Sequence, residues 1–210
     1  MPACRFPRGK KRRLCIIEPE TFERLLDACH VPQTKRATME YATARNRAML
    51  WVLWDTGLLV SEVCALNLED VDLAQGTLHV QGKGPRGRSV PLTPQVQQAL
   101  TMYLEQYRLR TGKCGASDPL FLSEPRARLT KNVFTQLFQR LCTRAGLEDR
   151  RLTPTMLRDM FAIRFLRTGG PPKALRRLLG LAESTPITRY LDAAGCSRRQ
   201  RETSENQRKA

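Results

Sequence analysis

The chain has 210 residues, enough for one sizeable domain with its own apolar core, and its 36 lysines and arginines against 20 acidic residues give a net charge of +16. A surplus of that size raises the local phosphate concentration and favours nucleic acid as partner; a merely basic scaffold is the plainer alternative. The seven cysteines stand singly, without a C-x-x-C pair, and His30 and His79 have no metal-ligand spacing to any of them, so neither a disulfide framework nor a zinc site is expected. Buried thiols in a reducing compartment, the bacterial cytoplasm or nucleoid, fit this pattern. No apolar run approaches the roughly 18 residues of a membrane span, and the basic N-terminus lacks the apolar core of a signal peptide.

The chain divides into a basic arm (1–14), one domain (15–195) and a polar tail (196–210). Residues 5–13, RFPRGKKRR, include Lys10, Lys11, Arg12 and Arg13 and no acid. The run reads as a solvated arm, with phosphate binding as its functional alternative. Pro19 is expected to start a helix with Phe22, Leu25 and Leu26 inward, and Val31 to Glu40 reads as a loop. Arg45 to Asp55 is strongly apolar, with Trp51 and Trp54, and predicts a helix buried on more than one face; Thr56-Gly57 ends it. Ser61 is expected to cap a short helix through Ala65 and Leu66. Thr77 to Gln81 and Arg88 to Leu92 read as strands of a tight hairpin joined by GKGPRG.

Thr93-Pro94 opens a helix whose stripe is Val96, Ala99, Leu100, Tyr103, Leu104 and Tyr107. Leu120-Phe121-Leu122 reads as a short extended piece. Thr130 opens another helix, with Val133, Phe134, Leu137, Phe138, Leu141 and Cys142 inward and Gly146 closing it. Thr153 as cap and Pro154 at the first position predict a helix with Met156, Leu157, Met160, Phe161, Ile163 and Leu166 on its apolar face, stopped by Gly169-Gly170. A short helix follows from Pro171-Pro172, with Leu175, Leu178 and Leu179 inward and Gly180 at its end. A third begins around Ser184 to Pro186 and carries Tyr190 about one turn in. Arg158 and Tyr190 are thus delivered by helices that must pack together.

Five stretches carry a resemblance: TGLLVSEVCALNLEDVDL (Thr56 to Leu73), GKGPRGRSVPL around Lys83, T-M-L-R (Thr155 to Arg158), L-L-G-L (Leu178 to Leu181) and Tyr190. In this order and spacing the chain resembles the catalytic domain of the tyrosine recombinase, or phage integrase, family over roughly residues 15–195. The resemblance implies a mainly α fold with a small antiparallel β-sheet formed by the Lys83 hairpin. It implies transesterification of a DNA phosphodiester, with Tyr190 as nucleophile, Arg158 as phosphate-directed cation, and Lys83 as proton donor to the leaving oxygen. No metal and no cofactor are expected, because the phosphotyrosine link conserves the bond energy.

The family carries an arginine and two histidines where this chain has Leu59, Thr155 and Leu181, so the resemblance implies a degenerate site. Double-stranded DNA is the expected partner, held by Lys10, Lys11, Arg12, Arg13, Arg86 and Arg88. A homo-oligomer, or association with another recombinase on DNA, goes with it; no membrane does. The basic arm is expected to be the remnant of the linker that joins the family's upstream domain. Three readings stand side by side. One is a working recombinase whose phosphate clamp is refilled by Arg86, Arg88 or Arg151. Another is a DNA-binding pseudo-recombinase that regulates or partners an active relative. The last is a basic scaffold. Tyr190 itself is either phosphate-facing, with a pKa lowered by Arg158 and Lys83, or a core tyrosine beside Ile187 and Leu191.

Overall fold

The computed structural model describes residues 17–30, 36–82, 87–111, 115–123 and 127–195. The candidates Lys10, Lys11, Arg12 and Arg13 in the arm, Lys83 and Arg86 at the hairpin tip, and the tail after Gly195 lie outside these residues. The architecture is mainly helical with a small antiparallel sheet, as the resemblance implies. Helices α1 (Pro19–Asp27), α2 (Arg36–Thr56) and α3 (Val60–Ala65) come first; strands β1 (Val71–Asp72), β2 (Thr77–Val80) and β3 (Arg88–Pro91) follow. Helices α4 (Pro94–Gln106), α5 (Lys131–Arg144), α6 (Pro154–Arg167), α7 (Pro172–Leu179) and α8 (Thr188–Ala194) complete the order.

Helix α2 is the centre. It packs against α4 on one side and α6 on another, and α8 lies on α6. Its apolar residues explain the position: Ala48, Met49, Leu50, Val52 and Leu53 are fully buried, and burial on several faces requires neighbours on several sides. Helix α2 begins at Arg36, well before the predicted Arg45. The preceding residues are polar, yet Ala37, Met39, Glu40 and Ala42 are good helix formers and extend the helix without an apolar stripe. Helix α1 closes over α2 through Phe22, whose ring stacks on Trp54 at 4.2 Å. Arg164 of α6 lies over the Trp54 ring and pairs with Asp55 at 3.0 Å, which pins α6 to α2.

Among the described residues the sheet has the order β1-β2-β3, antiparallel throughout, with Leu78 opposite Val90. Leu78, Val80 and Val90 point into the core while His79 and Ser89 face outward, the alternation expected of a half-buried hairpin. The two-residue strand β1 is an addition to the predicted hairpin. Leu120-Phe121-Leu122 is buried and extended but joins no strand. Leu129 N–H donates to Phe121 O, and side chains satisfy the other two carbonyls. Tyr103 donates to Leu120 O at 3.0 Å, Arg45 donates to Leu122 O at 2.7 Å, and the fully buried Arg108 also donates to Leu120 O.

Several local predictions need correction. Ser61 does not cap α3: Leu59 occupies the cap, and the Glu62 carboxylate accepts its N–H at 2.8 Å, the reach-back half of a capping box. Thr153 precedes α6 without a side-chain cap bond; its carbonyl, not its hydroxyl, accepts from Met156 N. Val133 is 43% exposed, one position off the Phe134–Phe138–Leu141 stripe that faces inward. Helix α8 starts at Thr188, later than expected, so Tyr190 falls in its first turn.

The turn between α2 and α3 positions everything below. Gly57 has φ +64°, a left-handed conformation, and a Cβ there would come within 2.8 Å of Leu179 Cδ2 and also collide with the Phe161 ring. Gly57→Ala is therefore expected to destabilise the fold by roughly 2–4 kcal/mol, combining the left-handed penalty with overpacking. Chemical denaturation should show this as a lower midpoint with an unchanged slope.

Candidate active site

The site grows from two chain reversals that meet a buried guanidinium. Arg158, on α6, is 7% exposed. Its Nη1 donates to Gly57 O at 2.6 Å and its Nη2 to Leu179 O at 2.7 Å. The first carbonyl belongs to the α2–α3 turn, and the second to the last residue of α7, just before the left-handed Gly180. Glu62 Oε2 lies 3.9 Å from Arg158. Burial pushes the Arg158 pKa down and the Glu62 charge pulls it back; an arginine so partnered keeps its charge at neutral pH.

Glu62 is a hub that the sequence reading placed in its motif without a role. One oxygen takes the Leu59 N–H; the other accepts from Arg88 Nη1 at 2.8 Å. Arg88, on β3, also donates from Nε to Leu178 O at 2.8 Å, tying the hairpin to α7. A Cβ on Gly180 would stand 2.8 Å from Arg88 Nη1, the movable end of a long side chain; the φ of +62° is what calls for glycine there. The pattern of a carboxylate three residues after a helix cap was the available signal for Glu62.

Above these groups lies a cleft of about 820 Å³. Arg158, Arg88, Glu62 and the exposed Arg177 line it, with Leu59, Leu178 and Leu181 as apolar walls. Of the positions where the resemblance implies lost groups, two border the cleft: Leu59, 40% exposed, and the half-buried Leu181. The site has thus not collapsed around these leucines. Thr155, exposed at the start of α6, does not line it, and neither does Arg151, which sits at a left-handed turn with φ 47°. Of the arginines named as replacements for the one implied at position 59, Arg88 reaches the cleft, with its guanidinium already paired to Glu62.

Tyr190 is 2% exposed, packed beside the buried Ile187 and Leu191, and is not part of the cleft lining. Its hydroxyl donates to Asp159 Oδ1 at 2.7 Å. Arg189 stacks over the Tyr190 ring, and its Nη2 donates to both the Tyr190 hydroxyl and Asp159 Oδ1. Burial, then the Asp159 hydrogen bond and charge, push the phenol pKa above its ordinary value, against a smaller pull from Arg189. This corrects the expectation of a lowered pKa. The Arg158 guanidinium is spent on two carbonyls and offset by Glu62, and the phenol instead faces a carboxylate. Asp159 and Arg189 were missed in the sequence because each is an ordinary charged neighbour of a singled-out residue; only the packing of α8 on α6 brings them together.

The phage integrase family model matches residues 16–195. Among similar proteins, the tyrosine recombinase XerC of Roseiflexus sp. (strain RS-1) is 38% identical over 138 residues, which is 65% of this chain and 44% of that protein. The tyrosine recombinase XerD of Yersinia pestis is 34% identical over 150 residues, 71% of this chain and 50% of that protein. The crystal structure of XerA recombinase superimposes with a TM-score of 0.70 at 26% identity, covering 97% of this chain and 67% of that one. The chain spans about half the length of the curated relatives it matches. From the family match over nearly all described residues, and the fold that accompanies it, the chain belongs to the phage integrase family.

Proposed function

We propose that this domain binds duplex DNA and acts on a phosphodiester as a tyrosine recombinase, through a 3′-phosphotyrosine intermediate on Tyr190. The observation that carries the reading is Arg158: a buried, charged guanidinium fixed at the foot of an open, cation-lined cleft, on the helix against which the tyrosine helix packs. A forked donor held in place suits the charge that grows on the non-bridging oxygens in the transition state. Lys83 is the proton donor to the leaving 5′-oxygen in this reading. Exchange of one phosphodiester for another needs no external energy source.

The same reading makes the domain a slow catalyst. Leu59 and Leu181 can neither donate a hydrogen bond nor carry a proton, and Thr155 cannot act as acid or base near neutral pH. Each lost donor costs on the order of 10²–10³ in rate, and such losses need not add. The burial of Tyr190 and its tie to Asp159 favour a second reading, a DNA-binding pseudo-recombinase that regulates or partners an active relative.

Two measurements decide between them. Duplex DNA should bind with log K falling against log salt at about −0.9 per phosphate neutralised, and removal of residues 1–13 should shallow the slope by a few units; salt-independent or absent binding would contradict the DNA reading. Covalent capture of nicked duplex DNA by the natural chain should be weak and abolished in Tyr190→Phe. Because Leu59 is exposed at the cleft, Leu59→Arg combined with Thr155→His should raise capture by about 100-fold or more without loss of thermal stability. Binding without capture in either background would favour the pseudo-recombinase.

A further inference from the structure

We propose that Asp159 is the proton acceptor for Tyr190 in strand cleavage, with Arg189 as the positioning residue that holds carboxylate and phenol together. The inference rests on the reading of Tyr190 as nucleophile. Among the described residues, the groups on the Tyr190 hydroxyl are Asp159, which accepts its hydrogen bond at 2.7 Å, and Arg189, which donates to it. An arginine has no lone pair to offer, so the carboxylate is the group that can take the proton. Neither Thr155 nor Leu181 supplies a competing base. The phenol is held protonated by its surroundings, so its proton must leave during the attack rather than before it.

The step balances. The Tyr190 hydroxyl oxygen bonds to phosphorus, its proton passes to Asp159 Oδ1, and the bond from phosphorus to the 5′-oxygen breaks. The 5′-oxygen takes a proton from the acid, Lys83 in the reading above. On reversal the new 5′-hydroxyl bonds to phosphorus and gives its proton to the deprotonated acid, the bond from phosphorus to the Tyr190 oxygen breaks, and Asp159 returns its proton to the phenol. Consecutive residues of α6 thereby divide the chemistry: Arg158 faces the cleft, and the 8% exposed Asp159 faces α8. Arg189 contacts both reacting partners, Asp159 Oδ1 at 3.2 Å and the phenol oxygen, and so fixes the geometry along which the proton moves.

The test is single-turnover covalent capture on a nicked duplex selected by this chain from a random-sequence pool, run in the natural chain and in the Leu59→Arg, Thr155→His background. Asp159→Asn keeps the shape and removes the base. It should slow Tyr190-dependent capture about 100-fold or more at unchanged DNA affinity, and Asp159→Glu should recover part of the rate. Capture in Asp159→Asn at the natural rate or faster would overturn the proposal and leave Tyr190 as nucleophile; a faster rate would mark Asp159 as a latch. Absence of Tyr190-dependent capture in both backgrounds would overturn both readings. If Asp159→Asn fails to fold, Arg189→Gln carries the test: capture about tenfold slower at unchanged affinity supports the proposal, and an unchanged rate overturns it.

Discussion

The two hydrogen bonds from Arg158 to the carbonyls of Gly57 and Leu179 are the constraint on which the rest of the domain is arranged. A buried charge is costly unless it is paired and hydrogen-bonded. The fold supplies those partners from two chain reversals, each made by a left-handed glycine: Gly57 itself and Gly180, which follows Leu179. Through them one side chain on α6 fixes the turn into α3 and the end of α7. Glu62 adds the compensating charge and draws in Arg88, so the hairpin is oriented by the same cluster. The cleft is the space these elements leave between them.

Beside this cluster stands a second one, Asp159, Tyr190 and Arg189, and the two share adjacent residues of α6. They differ in electrostatic character. The first is arginine-rich and open to the cleft, where an anion would be stabilised. The second is closed, and its carboxylate opposes ionisation of the phenol. In the proposed reaction the phenol stays neutral until Asp159 takes its proton, so that attack would await a phosphate placed beside Arg158. The cost is that the phosphate must be brought to a buried phenol that keeps its hydrogen bond to Asp159.

Much of this was legible in the sequence, for identifiable reasons. The apolar run at α2, the Gly-punctuated hairpin and the proline starts of α4, α6 and α7 are local signals, and each produced its element. Arg158 and Tyr190 could be singled out because their spacing matched a known order of motifs. Interactions between elements could not be read. The early start of α2 at Arg36 has no apolar stripe to announce it. The Leu120 segment is held by donors from distant side chains. The surroundings of Tyr190 depend on Asp159, and the residue that faces it is set by how α8 rolls on α6. An expectation based on nearby arginines gave the wrong sign for its pKa because arginines near in space can already be spent on carbonyls.

The central claim is that chemistry on DNA passes through the phenol beside Arg158. It is tested most directly by locating the protein–DNA bond. After capture on a nicked duplex and digestion with trypsin, cleavage after Arg189 leaves Tyr190 at the head of the peptide ending at Arg198. Mass spectrometry should find the nucleotide adduct on that peptide, through a 3′-phosphate, and Arg158→Lys, which keeps the buried charge but not the fork, should cut the adduct at least about tenfold while the duplex still binds. An adduct on any other peptide, or one undiminished in Arg158→Lys, would contradict it.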